Sequence, residues 1–162
     1  MSQAAAITLY PAQPTDALEI AHLSRDLVEQ GLPWTWGPRR IAQAIRDPEI
    51  VVLVARSGAE LAGFAVMLYR ERHAHLSLLA VAPRWQRAGI GRRLLAWLEQ
   101  TAMVAGTEWI DLEVRAGNDG ARAFYTALGY APRDNVPGYY QGRQGRENAV
   151  RMRRRLRQRS PV

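Results

Sequence analysis

Residues 79–93 of the chain read LAVAPRWQRAGIGRR. The pattern predicts an apolar strand that ends in a proline turn, then a glycine-containing loop, then an amphipathic helix that begins near Ile90. Glycines at a helix start let the backbone curl tightly, and the unpaired N–H groups of the first turn, together with the helix dipole, favour an anion. Three arginines add positive charge around the same place: Arg87, Arg92 and Arg93. The stretch therefore predicts a site for a phosphate or pyrophosphate group.

Two common phosphate-binding loops do not fit this spacing. A P-loop requires a lysine after its glycines, and the chain contains no lysine. A dinucleotide-binding loop requires a third glycine three residues after Gly91, where Leu94 stands. The remaining pattern, QRAGIG at residues 86–91, resembles the acetyl-CoA signature of the GNAT acetyltransferase superfamily. A glycine-rich turn from strand to helix without any ligand would also explain these residues.

The second half of the chain carries two further segments that this superfamily has, in the same order and at a matching distance. Residues 112–118 read LEVRAGN, and residues 123–130 read AFYTALGY. Within the superfamily, the chain resembles the bacterial N-terminal-alanine acetyltransferases that modify a ribosomal protein. Three shorter features support this subgroup: LPW at 32–34, Tyr139-Tyr140, and ENA at 147–149. The resemblance spans residues 6–156 and implies one α/β domain, with a mixed, mostly antiparallel sheet flanked by about four helices.

The resemblance also implies an activity, an acetyl-CoA-dependent N-acetyltransferase. Such an enzyme moves an acetyl group directly from its cosubstrate, acetyl-CoA, to a primary amine, here expected to be a protein N-terminal α-amine. Backbone groups at the end of the strand would meet the pantetheine arm and the thioester oxygen like an added strand. The residues so implied in acetyl-CoA binding are Leu79, Ala80, Val81, Gln86, Arg87, Ala88, Gly89, Ile90, Gly91, Arg92 and Asn118. Asn118 also fits a helix N-cap, which by itself would explain its presence.

Two residues are candidates for acid–base catalysis. Residues 109–115 alternate between apolar and polar side chains, which places Glu113 on the face of a predicted strand opposite the aliphatic residues. We interpret Glu113 as the proton acceptor, although a solvated strand carboxylate would look the same. Tyr125 is the candidate proton donor for the departing thiolate. Since only one of two adjacent helix residues can point fully inward, Phe124 is assigned to the core and Tyr125 to the site.

The acceptor amine determines how strong that base must be. A protein α-amine has a pKa near 8, so holding it neutral at pH 7 costs about 1 kcal/mol, whereas a lysine amine costs about 4.6 kcal/mol. A carboxylate that works through a water is therefore adequate for an N-terminal amine.

Aromatic residues on two predicted loops could contact the acceptor. Trp34, with Trp36 nearby, follows the first helix, and Tyr139 and Tyr140 lie in a segment expected to be a mobile loop, residues 137–145. Partial packing would explain these side chains equally well. His73 and His75 share one face of a strand. Either could assist deprotonation of the amine, or both could be ordinary surface histidines.

Composition excludes several classes of site. No cysteine is present, so a disulfide framework and a cysteine nucleophile are ruled out, and the three scattered histidines lead us to expect no metal. No apolar run approaches the roughly 18 residues of a membrane span, and the N-terminus lacks a signal-peptide pattern, so we expect a cytoplasmic protein. The length predicts one domain over residues 1–162, as monomer or homodimer, with a core at 6–156 and a basic tail at 157–162.

The net charge of +7 arises entirely from residues 143–162, where eight arginines stand against Glu147. A basic segment of this kind can attract nucleic acid, and a solvated final strand and tail would look the same. Two alternative functions therefore stay open. One is acetyl transfer to a small-molecule amine, such as an amino acid, a polyamine or a drug. The other is a non-catalytic acyl-CoA-binding or RNA-associated module.

Periodicity and turn residues predict the order of the elements. Strands are expected at 7–10, 50–55, 61–69, 75–81, 109–115, 130–133 and 147–156. Helices are expected after Asp16 to about Val28, at 39–46, from Ile90 to about Ala105, and from Asp119 to Leu128. In the third helix the apolar face predicts that Glu99 turns away from the core.

Overall fold

A computed structural model describes residues 6–156 of the chain. Within this range the chain forms seven strands and four α-helices. The strands are β1 (Thr8–Pro11), β2 (Ile50–Ser57), β3 (Glu60–Tyr69), β4 (His73–Val81), β5 (Trp109–Arg115), β6 (Ala131–Gly142) and β7 (Gly145–Arg155). The helices are α1 (Ala17–Leu23), α2 (Pro38–Arg46), α3 (Ile90–Val104) and α4 (Asp119–Ala127). The predicted basic tail at 157–162 lies outside the described residues.

The strands form one mixed sheet in the order β1-β2-β3-β4-β5-β7-β6. Every neighbouring pair is antiparallel except β4 and β5, which run parallel. The predicted fold class, a mostly antiparallel α/β sheet flanked by about four helices, is confirmed.

The sheet carries a hydrophobic core on each face. Leu53 and Leu94 belong to the core that contains α3, while Val54 and Ile41 belong to the core that contains α1 and α2, and all four are fully buried. Adjacent residues of β2 thus point into different cores, which explains why its sequence is a continuous apolar run rather than an alternating one. Burial of one such aliphatic side chain stabilises the fold by about 1.5–3 kcal/mol.

The parallel pair β4 and β5 is short and then diverges. Only residues 73–75 of β4 pair with residues 109–111 of β5. Beyond His75, β4 continues beside β3 alone, and its register with β3 shifts at Ser77, which is the extra residue of a β-bulge. A bulge bends its strand and redirects a side chain. The divergence leaves one edge of β4 open along Leu78 and Leu79, with backbone groups that pair with nothing in β5.

The segment expected to be a mobile loop is instead a β-hairpin. β6 extends to Gly142, and Gly145 begins β7, so Tyr139 and Tyr140 lie on a strand. The register between β6 and β7 shifts between Val136 and Tyr140. Proline lacks the N–H that a strand ladder needs, and a shift at this point accommodates Pro137. The sequence prediction ended this strand at residue 133 and expected a loop at 137–145, and it was wrong about the strand beyond Arg133.

Two further expectations were wrong in α1 and α3. The first helix is regular only to Leu23, and residues 24–28 continue it as one π-helical turn. Glu99 does not face solvent: it is 6% exposed, and its carboxylate pairs with the guanidinium of Arg154 from β7. A buried carboxylate needs such a partner, which periodicity within α3 could not reveal.

The arginines of β7 are largely paired within the fold. Arg153 binds Asp111 of β5 through two hydrogen bonds of 2.6 and 2.9 Å, and Arg151 binds Glu113 at 3.0 Å. Three of the eight arginines after residue 142, namely Arg151, Arg153 and Arg154, therefore meet carboxylates of β5 and α3. In the described part of the chain, no helix has both the length and the apolar character that a bilayer span requires.

Candidate active site

The divergence of β4 and β5 opens a cavity of about 630 Å³. Its walls come from β4, β5, β6, α4, the first turn of α2, and the segment that joins α1 to α2. Six residues predicted from the sequence line it together: Leu79, Glu113, Asn118, Tyr125, Tyr139 and Tyr140. These residues come from four separate segments: β4, β5, α4 with its N-cap, and β6.

Glu113 lies on the cavity wall with its side chain 8% exposed. One carboxylate oxygen lies 2.5 Å from Nε2 of His75, and the other accepts a hydrogen bond of 3.0 Å from Nε of Arg151. Burial alone would raise the pKa of Glu113, but the hydrogen bonds from His75 and Arg151, together with the positive charge of Arg151, outweigh it and hold that pKa below its ordinary value. The carboxylate is therefore ionised at neutral pH.

Tyr125 also lines the cavity, but the relative burial of Tyr125 and Phe124 is the opposite of what the sequence predicted. Tyr125 is 9% exposed and belongs to the core, whereas Phe124, which was assigned to the core, is only half-buried. Phe124 instead packs over Gly91, where an added Cβ would lie 3.3 Å from the phenyl ring. Burial raises the pKa of Tyr125, so its phenol stays protonated across the neutral range.

The glycine loop has the backbone conformation that the sequence indicated. Arg87 and Gly89 adopt positive φ angles of 66° and 76°, and the side-chain amide of Gln86 donates a hydrogen bond of 3.0 Å to the carbonyl of Val81. Within residues 6–156, no acceptor meets the backbone N–H groups of residues 87–92, and the loop up to Gly89 is solvent-exposed. The first turn of α3 thus presents a row of free donors.

The arginines of this loop are not equivalent. All three are exposed, but Arg93 also donates a hydrogen bond of 3.2 Å to the carbonyl of Ile7 and so reaches toward β1. The sequence had grouped Arg93 with the other two as part of the charge around the loop.

Asn118 has the capping role that the sequence suggested. Its side-chain oxygen accepts a hydrogen bond of 3.1 Å from the N–H of Ala121 at the start of α4. The same residue lines the cavity, and that position fits a contact with a bound ligand.

Trp34 was predicted to contact the acceptor, and the structure places it elsewhere. Its indole N–H donates to the carbonyl of Ala21 in α1, and its ring lies 5.2 Å from the guanidinium carbon of Arg25. Trp36 lines the cavity instead. Both tryptophans follow a turn in the same segment, so the sequence alone could not distinguish the one that turns inward.

The cavity wall beside Trp36 is organised by a buried carboxylate that sequence reasoning missed. Glu29 is 7% exposed and accepts hydrogen bonds from the N–H and hydroxyl of Thr35 at 2.8 and 2.5 Å and from the N–H of Trp36. It also accepts a hydrogen bond of 3.2 Å from the hydroxyl of Ser24. These bonds hold the segment between α1 and α2 in one conformation. No motif in the sequence marks Glu29 for this role.

Arg115 joins the two walls of the cavity. Its guanidinium binds the carboxylate of Glu147 on β7 through two hydrogen bonds, at 2.7 and 2.8 Å, and donates a third to the carbonyl of Gln30. The backbone N–H of Arg143, at the hairpin tip, donates to the carbonyl of Gly31 at 3.2 Å. The hairpin and the segment between α1 and α2 are thereby linked above the cavity floor.

His75 is the residue whose position adds most to the prediction. The sequence left open whether His73 or His75 takes part in chemistry. His75 lines the cavity and touches Glu113, whereas His73 stacks on Trp109 with ring centroids 5.5 Å apart and does not line the cavity. The contact depends on the parallel pairing of β4 with β5, which no local pattern specifies.

Comparison with known proteins gives consistent results. Residues 17–130 match the acetyltransferase (GNAT) family model. The chain is 38% identical over 145 residues to the ribosomal protein bS18-alanine N-acetyltransferase of Escherichia coli K12, an alignment that covers 90% of this chain and 95% of that protein. The crystal structure of the ribosomal-protein-S18-alanine N-acetyltransferase from Escherichia coli superimposes with a TM-score of 0.81 at 28% identity, covering 96% of this chain and 97% of the other.

A second relative is eukaryotic. The chain is 36% identical over 88 residues to the N-terminal acetyltransferase B complex catalytic subunit naa20 of Schizosaccharomyces pombe, which is 54% of this chain and 49% of that protein. The alignment thus spans about half of that relative's length. The family model covers most of the chain, and the bacterial relative aligns along nine-tenths of it. This chain therefore belongs to the GNAT acetyltransferase family and is an N-acetyltransferase.

Proposed function

We propose that this enzyme transfers the acetyl group of acetyl-CoA to the α-amine of a protein N-terminus, by direct attack within the cavity between β4 and β5. The observation that carries the proposal is the buried, ionised carboxylate of Glu113 in the same cavity as the protonated phenol of Tyr125. Acetyl transfer that uses both a base and an acid requires one deprotonated group and one protonated group in the same cavity.

Acetyl-CoA would be held by backbone groups. The free N–H donors of residues 87–92, with the side chains of Arg87 and Arg92, suit the two negative phosphates. The open edge of β4 at residues 79–81 suits the pantetheine arm, which can pair there like an added strand. Asn118, on the opposite wall, suits a polar group of the same arm. This arrangement would place the thioester at the mouth of the divergence.

The transfer step needs one base and one acid. The neutral amine attacks the thioester carbon, a C–N bond forms, and the C–S bond breaks with its electron pair on sulfur. Glu113 is the base for the proton that leaves nitrogen, through a water in the cavity. Tyr125 gives its phenolic proton to the departing thiolate. Its raised pKa keeps that proton available until sulfur becomes negative.

The acceptor side supports a peptide rather than a compact amine. Aromatic side chains of Trp36, Tyr139 and Tyr140 line the side of the cavity formed by the α1–α2 segment and the hairpin. Tyr139 is 46% exposed, so an extended chain leaving the cavity would meet it. The relatives reported above are named as N-terminal acetyltransferases, one of them for the alanine of a ribosomal protein. An N-terminal amine also has a lower pKa than a lysine side chain, so less free energy is required to deprotonate it at neutral pH.

An acceptor panel tests the proposal. Release of coenzyme A thiol is measured with peptides that have a free N-terminus, with the same peptides carrying a blocked N-terminus and one lysine, and with free amino acids and polyamines. We expect turnover with free N-terminal peptides at least roughly 100-fold above the blocked ones, which follows from the difference in the cost of neutralising the two amines. Faster turnover of a small amine would contradict the proposed acceptor, while calorimetry with acetyl-CoA tests the cosubstrate separately.

A further inference from the structure

We propose that His75 is a second catalytic residue, and that its imidazole and the carboxylate of Glu113 accept the proton of the acceptor amine as one unit. This inference rests on the proposed function and adds a catalytic group, the imidazole of His75, that the proposed function does not require. It refines the role of Glu113, which supplies the negative charge of the unit, and assigns the arriving proton to the imidazole.

The hydrogen bonds of His75 define the unit. Nε2 of the imidazole lies 2.5 Å from a carboxylate oxygen of Glu113, and Nδ1 lies 3.2 Å from the hydroxyl oxygen of Ser77. A nitrogen and a carboxylate oxygen at that distance share a proton, because two bare acceptors would repel each other. In its neutral form the imidazole therefore carries its proton on Nε2, which leaves Nδ1 as the free acceptor. All three residues line the same cavity.

Accessibility distinguishes the two members of the unit. The side chain of His75 is 31% exposed, whereas that of Glu113 is 8% exposed. The second oxygen of Glu113 is held by Arg151. An amine or a water in the cavity can thus approach the imidazole more freely than the carboxylate. The bulge at Ser77 places its hydroxyl beside Nδ1, on the path that such a proton would take.

The proton then has a defined route. As the C–N bond forms, the attacking nitrogen loses one proton, which passes through a water or the Ser77 hydroxyl to Nδ1 of His75. Nε2–H stays with Glu113, and the resulting imidazolium is stabilised by that carboxylate, as in other pairs of a histidine and an acid. The thiolate takes its proton from Tyr125, so no further reactant is needed. After transfer, Nδ1 returns its proton to solvent and the Tyr125 phenolate takes up a proton from solvent, which restores both groups.

The charges around His75 come from four strands. His73 lies on β4 itself, and Asp111 and Glu113 lie on the neighbouring strand β5. Arg151 and Arg153 lie on β7, beside those two carboxylates, and Tyr139 of β6 lies near Glu113 and Arg151. On the other side, β3 places the uncharged Leu68 opposite His75. Each carboxylate of β5 has its own arginine, Asp111 with Arg153 and Glu113 with Arg151. Both carboxylates beside His75 therefore have a permanent cation of their own.

The pH profile of kcat tests the inference with two matched variants. His75→Gln keeps an amide that can donate to Glu113 but cannot accept a proton, and His73→Gln makes the same change two residues earlier on the same face, outside the cavity. We expect His75→Gln to lower kcat about 100-fold with little change in KM for acetyl-CoA. The acidic limb of its profile between pH 5 and 8, where histidines commonly change charge, should be lost. His73→Gln should match the parent enzyme.

Two outcomes would overturn the role of His75. One is a His75→Gln enzyme that keeps the parent kcat and pH profile while Glu113→Gln is impaired, which would leave the proposed acetyl transfer intact with Glu113 alone as base. The other is a rise in KM with an unshifted profile, which would indicate a structural contribution. The double variant His75→Gln/Glu113→Gln sharpens the test. If the two residues act as one unit, its kcat is no lower than that of the more impaired single variant, whereas two independent reductions in kcat multiply. Thermal unfolding and acetyl-CoA calorimetry confirm that each variant folds.

Discussion

The glycine loop at residues 86–92 and the cluster of His75, Glu113 and Arg151, in which we place the proposed base, are built in different ways. The loop consists of consecutive residues, and its functional groups are backbone N–H donors set by local φ angles. In the cluster, 38 residues separate Glu113 from each of its partners, and the three side chains meet because β4, β5 and β7 are neighbours in the sheet. One region depends on local conformation and the other on strand pairing.

This difference predicts how each region responds to change. In the exposed loop, the backbone donors survive the loss of a side chain, so a substitution there should weaken ligand binding by a modest factor. In the cluster, the carboxylate is buried and shared by two partners, and no neighbouring carboxylate can take its place, because Asp111 is bound to Arg153. Substitutions in the cluster should therefore affect the chemical step, and by much more.

The largest effect is expected at Glu113. Glu113→Gln keeps the shape of the side chain and removes its negative charge, so kcat should fall by roughly 100-fold to 1,000-fold while the Kd for acetyl-CoA stays unchanged. Steady-state thiol release and calorimetry measure the two quantities. Asp111→Asn makes the same change two residues earlier on β5, outside the cavity, and should leave kcat near the parent value. A Glu113→Gln enzyme within threefold of the parent would contradict the assignment of the base.

A smaller effect, on binding rather than on chemistry, is expected in the loop. Arg87→Gln removes one positive charge beside the free N–H donors, and the KM for acetyl-CoA should rise about 10-fold with kcat at saturation unchanged. Arg84→Gln is the matched control, because Arg84 lies in the same turn but pairs with Glu60. The difference between the two variants should shrink as salt is added. Equal KM values for both variants would show that Arg87 makes no contact with the cosubstrate.

The smallest effect concerns stability in acid. The folded state holds the pKa of Glu113 below its ordinary value of 4.5, so as pH falls the unfolded chain takes up this proton first. Glu113 therefore stabilises the fold above that range, and the contribution is lost as pH falls through it. The free energy of unfolding, measured by denaturant titration from pH 7 to pH 3, should fall less steeply in Glu113→Gln than in the parent. Glu49→Gln, an exposed change of the same kind, should keep the parent slope.

Several parts of the site could be predicted from residue order alone. The alternation of residues 109–115 correctly turned Glu113 away from the aliphatic core, and the spacing of glycines marked the loop before α3. Asn118 was recognised as a cap because capping is a local interaction. Each of these inferences depends on neighbours within a few positions along the chain, where side-chain direction follows from helix or strand geometry.

Other parts could not be predicted because they depend on distant partners. Glu99 is buried since Arg154 reaches it from another element, and Trp34 turns to α1 while Trp36 turns to the cavity. Tyr125 and Phe124 exchanged their expected burial because Gly91 makes room for the phenyl ring. Three of the five arginines of β7 pair with carboxylates of β5 and α3, which weakens the argument for nucleic-acid binding by this strand.

By itself, the sequence determined the fold class, the glycine loop and the family, because these depend on periodicity and on motifs of consecutive residues. Tertiary structure alone decided which side chains surround Glu113. Residues 75, 113 and 151 meet only because β4 and β5 run side by side for three residues and then separate, and because β7 pairs with β5. The physical reason is that strand pairing brings together side chains far apart in the chain, and no local pattern specifies which strands become neighbours.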